Sequence, residues 1–398
     1  MATSYFTQTD LFERQLIKEG LGETVGCPFI QRLKNVSYLS TMDYIYDLKH
    51  RFSRYDHSLG TAFTAMEISD LLKLSRDQKL ILACANLVHD AGHFAFSHAS
   101  ETFLLEAKRK YHGGLMNYYL RQPNSFPGYR KSLGEVLAND LGSLSQQVIK
   151  LVTNGVCDDS IVNQLHNFCL NCDKIDGTNR TLFALGLDFF QPAEFLKVFA
   201  LSSNTVVVLR EHLESVLRFW DLKKMLYNKH IYSYEVSASE AMLTRSLEGI
   251  VSANTSMEKM LALSDNEILE IGMESQVSGF IIEKFISKKY FASFVKNFPQ
   301  LILPYKLKFM SHRFNNNKRR QFECEIAQQF GWDPRLVISH FSFRKKFVSN
   351  NQPLQQMDFF NAHDLIPLVQ LNTFLYKTRL SGNYFDIFYD PSIPFEVV

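Results

Sequence analysis

Apolar residues recur at Leu59, Ala62, Phe63 and Met66, the i, i+3, i+4, i+7 spacing of one helix face. The stripe stops near Leu74, and Ser75 with Gln78 makes a capping box for a second helix. That helix runs from Arg76 to about Asp90 and is apolar nearly all round through ILACANLV. A helix of this kind belongs at the centre of a domain. It closes on His89-Asp90, and a charged pair is an unexpected ending for a buried helix.

The stretch Arg121 to Ser132, with two prolines, reads as a loop. Helical patterns follow over Gly134–Val152 and Asp159–Asp176, then over Val206–Lys229 and Tyr234–Val251 after a polar break at Ser202–Asn204. Between Lys296 and Phe314 the alternation in PYKLKFM predicts a strand. Neither an internal repeat nor a low-complexity segment is present. The expectation is a mainly all-α chain with a boundary near 200: a helical unit over 1–199, and a helical region with a few strands over 200–398.

Composition agrees with helices. Gly 18 and Pro 11 are few for 398 residues, and Phe 34 promises an aromatic core. The opening MATSYFTQTDLFERQ has no apolar signal core, and no apolar run approaches a membrane span. Six cysteines without regular spacing suit a reducing cytosol, so a cytoplasmic location with no membrane partner is expected. Cys169 and Cys172 form a C-x-x-C, but structural zinc takes four ligands. The net charge of +2 is deceptive. Lys284 to Lys346 holds fourteen Lys or Arg against Glu323, Glu325 and Asp333, a balance of +11 that leaves the remainder at −9.

Five of the twelve histidines lie between 57 and 112: His57, His89, His93, His98 and His112. His89 and His93 are one turn apart, so they project together if the helix continues that far. Asp90 adjoins His89, and Asp173 and Asp176 follow in NCDKIDGTNR. Imidazole nitrogen with carboxylate oxygen suits Fe, Mn, Zn, Co or Mg. Such a site lowers the pKa of bound water and polarises a phosphoryl oxygen, while nearby Arg and Lys clamp phosphates. One histidine at a helix end is usually a packed or capping side chain. A cluster that joins His57, His89, Asp90 and Asp173 points instead to a metal.

The order His57, His89-Asp90, Asp173 resembles the HD-domain metal-dependent phosphohydrolases. RYDHSLG at Arg54–Gly60, HDAGHFAFSH at His89–His98, FIQRLKNVSYLS at Phe29–Ser40 and Asp173-Lys174-Ile175-Asp176 resemble blocks of their deoxynucleoside triphosphate triphosphohydrolases. The resemblance covers roughly residues 25 to 190 and fades to a faint helical similarity around Leu222–Leu243. It implies a helical HD core and a divalent metal held by His57, His89, Asp90 and Asp173. It also implies catalytic His98, His93 and His112 over the phosphates, with Glu101 orienting a histidine. Arg54, Lys174, Tyr38, Asp176 and Arg180 would contact substrate. The chain departs from the family at Gly177, where a tyrosine is usual, at Thr181, Gly113 and Ala95, and at Tyr38, where a glutamine is usual.

The implied activity is hydrolysis of a deoxynucleoside triphosphate to deoxynucleoside and triphosphate. Two alternatives stay open: a phosphodiesterase or nuclease acting on a cyclic nucleotide, a dinucleotide or a single strand, and a nucleotide sensor without turnover. Rings interleave the basic segment 284–346, as in Lys288-Lys289-Tyr290-Phe291 and Phe343-Arg344-Lys345-Lys346-Phe347. That pattern suits single-stranded nucleic acid; the resemblance adds an activating nucleotide and a homo-oligomer as expected partners. Pool control and antiviral defence are both compatible roles.

Overall fold

The computed structural model describes residues 5–101, 103, 112–126, 128–168, 170–252, 260, 262–297, 316–347, 365–367 and 379–390. It is mainly α-helical, with two small sheets. The N-terminal helices are α1 (Thr9–Lys18), α2 (Arg54–Leu71), α3 (Arg76–Val88), α4 (His112–Arg121), α5 (Leu133–Leu141), α6 (Ser145–Asn154), α7 (Ser160–Asn167) and α8 (Cys172–Leu185). Strands β1 (Phe199–Ser202) and β2 (Thr205–Leu209) follow, then α9 (Leu213–Leu226), α10 (Tyr234–Ser252), α11 (Asp265–Met273) and α12 (Gln276–Ile286). Later elements include β3 (Ala292–Ser293), α13 (Asn316–Phe330), β4 (Val337–Phe347), β5 (Leu365–Pro367) and β6 (Arg379–Tyr389), and short one-turn helices lie between the longer ones.

Local chemistry starts these helices where the pattern predicts. Ser75 Oγ accepts from the Gln78 N–H at 3.2 Å, and Gln78 Oε1 accepts from the Ser75 N–H at 2.9 Å. Ser53 with Asp56 caps α2 the same way, and Ser132 with Glu135 caps α5. Helix α3 lies at the centre, packed on α2, α6 and α7. Leu59, Ala62 and Met66 of the stripe are buried, and Phe63 stacks on Phe12 of α1 with ring centroids 4.3 Å apart.

Several expected spans divide. Asp159–Asp176 is two helices, because Phe168 turns to extended backbone and Asn171 caps a new start by accepting from the Lys174 N–H at 2.9 Å. Gly134–Val152 is interrupted by a 3₁₀ turn at Gly142–Leu144, where Gly142 takes a φ of 56°. Val206–Leu209 is strand, not helix: β-branched Val206, Val207 and Val208 pair antiparallel with Phe199–Leu201. The PYKLKFM segment lies outside the described residues, as does Cys169. Strands β4 and β6 instead pair over eleven residues each, giving more sheet than the pattern suggested.

The main hydrophobic core runs through position 200 without a break, taking in Phe195, Val206, Phe219, Trp220, Leu247 and Ile282. A second cluster, built on Phe322, Phe330, Trp332, Ile387 and Tyr389, packs α13 on the β3-β6-β4 sheet. Helix α9 continues into a π turn at Tyr227–Ile231, which faces the N-terminal helices. No helix among the described residues is long and apolar enough to cross a membrane.

Candidate metal centre

Helix α2 carries His57 into the interior, where it is 1% exposed. Its Nδ1 lies 2.7 Å from Asp176 Oδ2, and Asp176 is clasped by Arg180 through Nε and Nη2, both at 2.9 Å. Asp176 and Arg180 were expected to touch substrate. Both are fully buried behind His57 and do not reach the cavity, so their place is that of a support that sets the ring. Gly60 makes this possible, since a Cβ there would meet Arg180 Nη2 at 2.3 Å and Asp176 Oδ1 at 2.4 Å.

His89 caps the C-terminus of α3, and its Nδ1 donates to the Asn86 carbonyl at 2.6 Å. Both rings are therefore held at Nδ1 and present Nε2. One ligand atom from each of His57, His89 and Asp90 lies within 4.8 Å of the others. Asp173, in the first turn of α8, brings Oδ1 to 3.2 Å from His57 Nε2 and 3.7 Å from His89 Nε2. The four side chains expected as ligands thus converge, though they come from α2, the end of α3 and α8.

The donor set fits a divalent cation on two grounds. His89 Nε2 is buried and faces carboxylate oxygens, Asp90 Oδ1 at 3.3 Å and Asp173 Oδ1 at 3.7 Å, so nitrogen and oxygen donors converge as a divalent cation needs. The surroundings are also arranged for positive charge. Burial works against a charged His89, yet Asp90 and Asp173 outweigh it and raise its pKa to about 9. Burial likewise opposes ionisation of Asp90, but His89, Arg54 and His93 hold its carboxyl well below the usual range.

Helix α3 ends at Val88, so His93 does not project from a continuing helix. It reaches the site from a turn closed by the His93 N–H to Asp90 carbonyl bond, with Nε2 3.1 Å from Asp90 Oδ1. The buried Arg32 holds this turn by donating to the carbonyls of Ala91 and His93. His98 crosses the His93 ring nearly at right angles, with centroids 4.6 Å apart. Its Nδ1 is 3.0 Å from Glu101 Oε1, the pairing expected of Glu101. His112 begins α4, and its side chain lies outside the described residues.

A cavity of about 220 Å³ opens over His57 and Asp173. Arg54, His98 and Lys174 line it, together with the apolar Leu39, Met42, Leu226 and Ile231. Arg54 also bonds Asp90 Oδ2 at 2.8 Å and stacks over Tyr38 at 5.1 Å. The Tyr38 hydroxyl donates to the Gly177 carbonyl at 2.8 Å, and a Cβ on Gly177 would sit 3.0 Å from that hydroxyl. Tyr38 and Gly177, two departures from the family pattern, are therefore in direct contact. Sequence reasoning missed Lys223, Tyr227 and Glu240 in the lining. Their signal was slight, the i, i+4 spacing of Lys223 and Tyr227 along a helix.

In the basic segment, residues 298–315 and the side chains of 341–347 lie outside the described residues. Of the rest, Lys284 pairs with Asp390 at 2.7 Å, Lys288 with Asp47 at 3.0 Å, Arg319 with Glu248 and Arg320 with Glu323 at 3.2 Å. Much of that positive charge is matched within the chain.

Residues 54–146 match the family model of the HD domain. A deoxynucleoside triphosphate triphosphohydrolase SAMHD1 homolog of Dictyostelium discoideum is 25% identical over 253 residues, 59% of this chain and 46% of that protein. YwfO, an uncharacterized protein of Bacillus subtilis, is 23% identical over 56% of this chain and 51% of its own length. The chain thus spans about half the length of these curated relatives. A hypothetical protein from Aquifex aeolicus shares the fold with a TM-score of 0.64 at 17% identity, covering 94% of this chain and 92% of its own. A phosphohydrolase from Bacteroides thetaiotaomicron does so with a TM-score of 0.64 at 15% identity, covering 92% and 94%. Residues 54–146 thus form an HD domain, and the fold brings His57, His89-Asp90 and the later Asp173 together at one place.

Proposed function

We propose that the chain is a metal-dependent nucleotide phosphohydrolase that converts a deoxynucleoside triphosphate to deoxynucleoside and triphosphate. The observation that carries this reading is the cavity, whose lining joins the cationic Arg54, Lys174 and Lys223 to the apolar Leu39, Met42, Leu226 and Ile231 over His57 and Asp173. A polyphosphate with a base at one end suits such a lining. The name of the Dictyostelium relative supports the same substrate class.

His57, His89, Asp90 and Asp173 would hold the cation, Mn, Fe, Co, Zn or Mg, which when bound acidifies water and polarises a phosphoryl oxygen. Arg54, Lys174 and Lys223 bind the phosphate chain. Water adds to the α-phosphorus and the bond to the 5′-oxygen breaks. His98 delivers a proton from Nε2 to that oxygen, its Nδ1 being held by Glu101. His93, wedged between Asp90 and His98, keeps the two groups apart and ordered. Tyr38, packed on His57 with centroids 4.8 Å apart, walls the sugar side of the cavity.

The test is a product-resolved screen of nucleotides on protein reconstituted with each metal, with other nucleotides added as activators. Inorganic triphosphate is the expected product. Pyrophosphate or phosphate release, or cleavage confined to oligonucleotides or cyclic nucleotides, overturns the reading.

A further inference from the structure

The turn that presents His98 is held in an unfavourable conformation. Phe96 and Ser97 are consecutive non-glycine residues at φ 59° and 51°, in the left-handed region. Two such residues in a row persist only where the surroundings over-determine them. Both are fully buried, and His98 follows at once.

The restraint comes from the other half of the chain. Asp265, at the start of α11 and 4% exposed, accepts from the Phe96 N–H through Oδ1 at 2.6 Å. Its Oδ2 accepts from the Ser37 N–H at 2.9 Å. Ser37 precedes Tyr38 and pairs with Ser53, the cap of the helix that carries Arg54 and His57. Ser40 completes the tie: its hydroxyl donates to the Phe96 carbonyl and accepts from the Ala99 N–H at 3.3 Å. One buried carboxylate therefore joins the segment that carries Tyr38 to the one that carries His98, and both side chains line the cavity.

We infer that Asp265 is a positioning residue for the reaction, acting through the backbone of Phe96 to aim His98 and through Ser37 to seat Tyr38. It touches neither substrate nor metal. A buried carboxylate that satisfies two backbone donors from separate segments fixes their separation, which a neutral side chain with one acceptor cannot do. The inference rests on the proposed role of His98 as proton donor.

The experiment uses the full chain with Asp265→Asn, His98→Ala and the double variant. Amide exchange is followed at Ser37 and Phe96, Mn²⁺ content is measured, and turnover is assayed on deoxynucleoside triphosphates and on bis(p-nitrophenyl) phosphate. Asp265→Asn should speed exchange at one or both amides and leave Mn²⁺ content unchanged. It should lower kcat roughly ten- to a hundredfold, the scale of a misplaced catalytic group, with KM near that of wild type. In the His98→Ala background it should cost little more. Unchanged exchange, a loss that follows Mn²⁺ content, or a loss that adds in full to that of His98→Ala overturns the inference. Asp265→Glu, which keeps the charge and shifts the carboxylate, carries the same readouts if Asp265→Asn folds poorly. Absence of turnover by the wild type refutes the proposed function alone, and exchange at the two amides then decides the clamp.

Discussion

The Nδ1 of His57 lies 2.7 Å from Asp176 Oδ2, so the ring that faces the metal cluster is set by a carboxylate with no exposure of its own. Arg180 neutralises that carboxylate and holds it still. Asp176→Asn should therefore weaken metal affinity by roughly 10- to 100-fold, the usual effect of removing a ligand's hydrogen-bond partner. Titration of the metal-free variant with Mn²⁺ measures this, and wild-type affinity would show that His57 is oriented by other contacts.

Gly60 of α2 lies directly against this pair. Gly60→Ala pushes a methyl into Arg180 and Asp176. It should lower stability by about 1–3 kcal/mol through overpacking, despite the better helix propensity of alanine. Metal affinity should fall with it. Denaturant unfolding with and without Mn²⁺ checks both, and a stabilised variant would contradict the packing.

Lys223 is 6% exposed, lies over the Tyr227 ring at 5.4 Å and lines the cavity. Lys223→Met keeps the apolar stem and removes the charge. Loss of a charged hydrogen bond to phosphate should raise KM by roughly ten- to a hundredfold. Mn²⁺ content should not change. A KM equal to that of wild type would place the phosphate chain elsewhere.

Glu67 is a mark of pH dependence away from the site. Burial, with Asp70 adding to it, raises its carboxyl from 4.5 to about 7, and its Oε2 is buried without a hydrogen-bond partner. The folded chain then binds this proton more tightly than the unfolded chain. Its contribution is fully present below the unfolded pKa and is lost as pH rises through about 7. Glu67→Gln should flatten this decline, so that the variant gains on the wild type between pH 5 and 8. Urea unfolding at the two pH values measures the difference, and parallel curves would contradict it.

Short-range features were legible in the sequence. The Ser75–Gln78 capping box, the stripe on α2 and the apolar length of α3 act within about four residues, and each formed where the pattern predicted. The metal cluster was legible for a related reason: histidine and aspartate announce their chemistry by residue type, and His57, His89, Asp90 and Asp173 stand in a recognisable order. The divisions at Phe168–Asn171 and Gly142 were less visible, because helical periodicity on either side conceals a one-turn break.

Only the tertiary structure decided what those side chains do. Asp176 and Arg180 read as substrate contacts until α8 packs on α2 and buries them behind His57. Tyr38 and Gly177 look like two separate departures until the folded chain sets one against the other. Lys223 carries only its i, i+4 spacing with Tyr227 and Asp265 no local mark, since the face a helix turns inward depends on what it packs against. The sequence by itself determined the helix caps, the α2 stripe, the apolar α3 and the residue types of the candidate metal site, through forces and chemistry that act over a few residues. Orientation, burial and the reach of α9 and α11 to the site depend on contacts between distant segments, and these exist only once the core has closed.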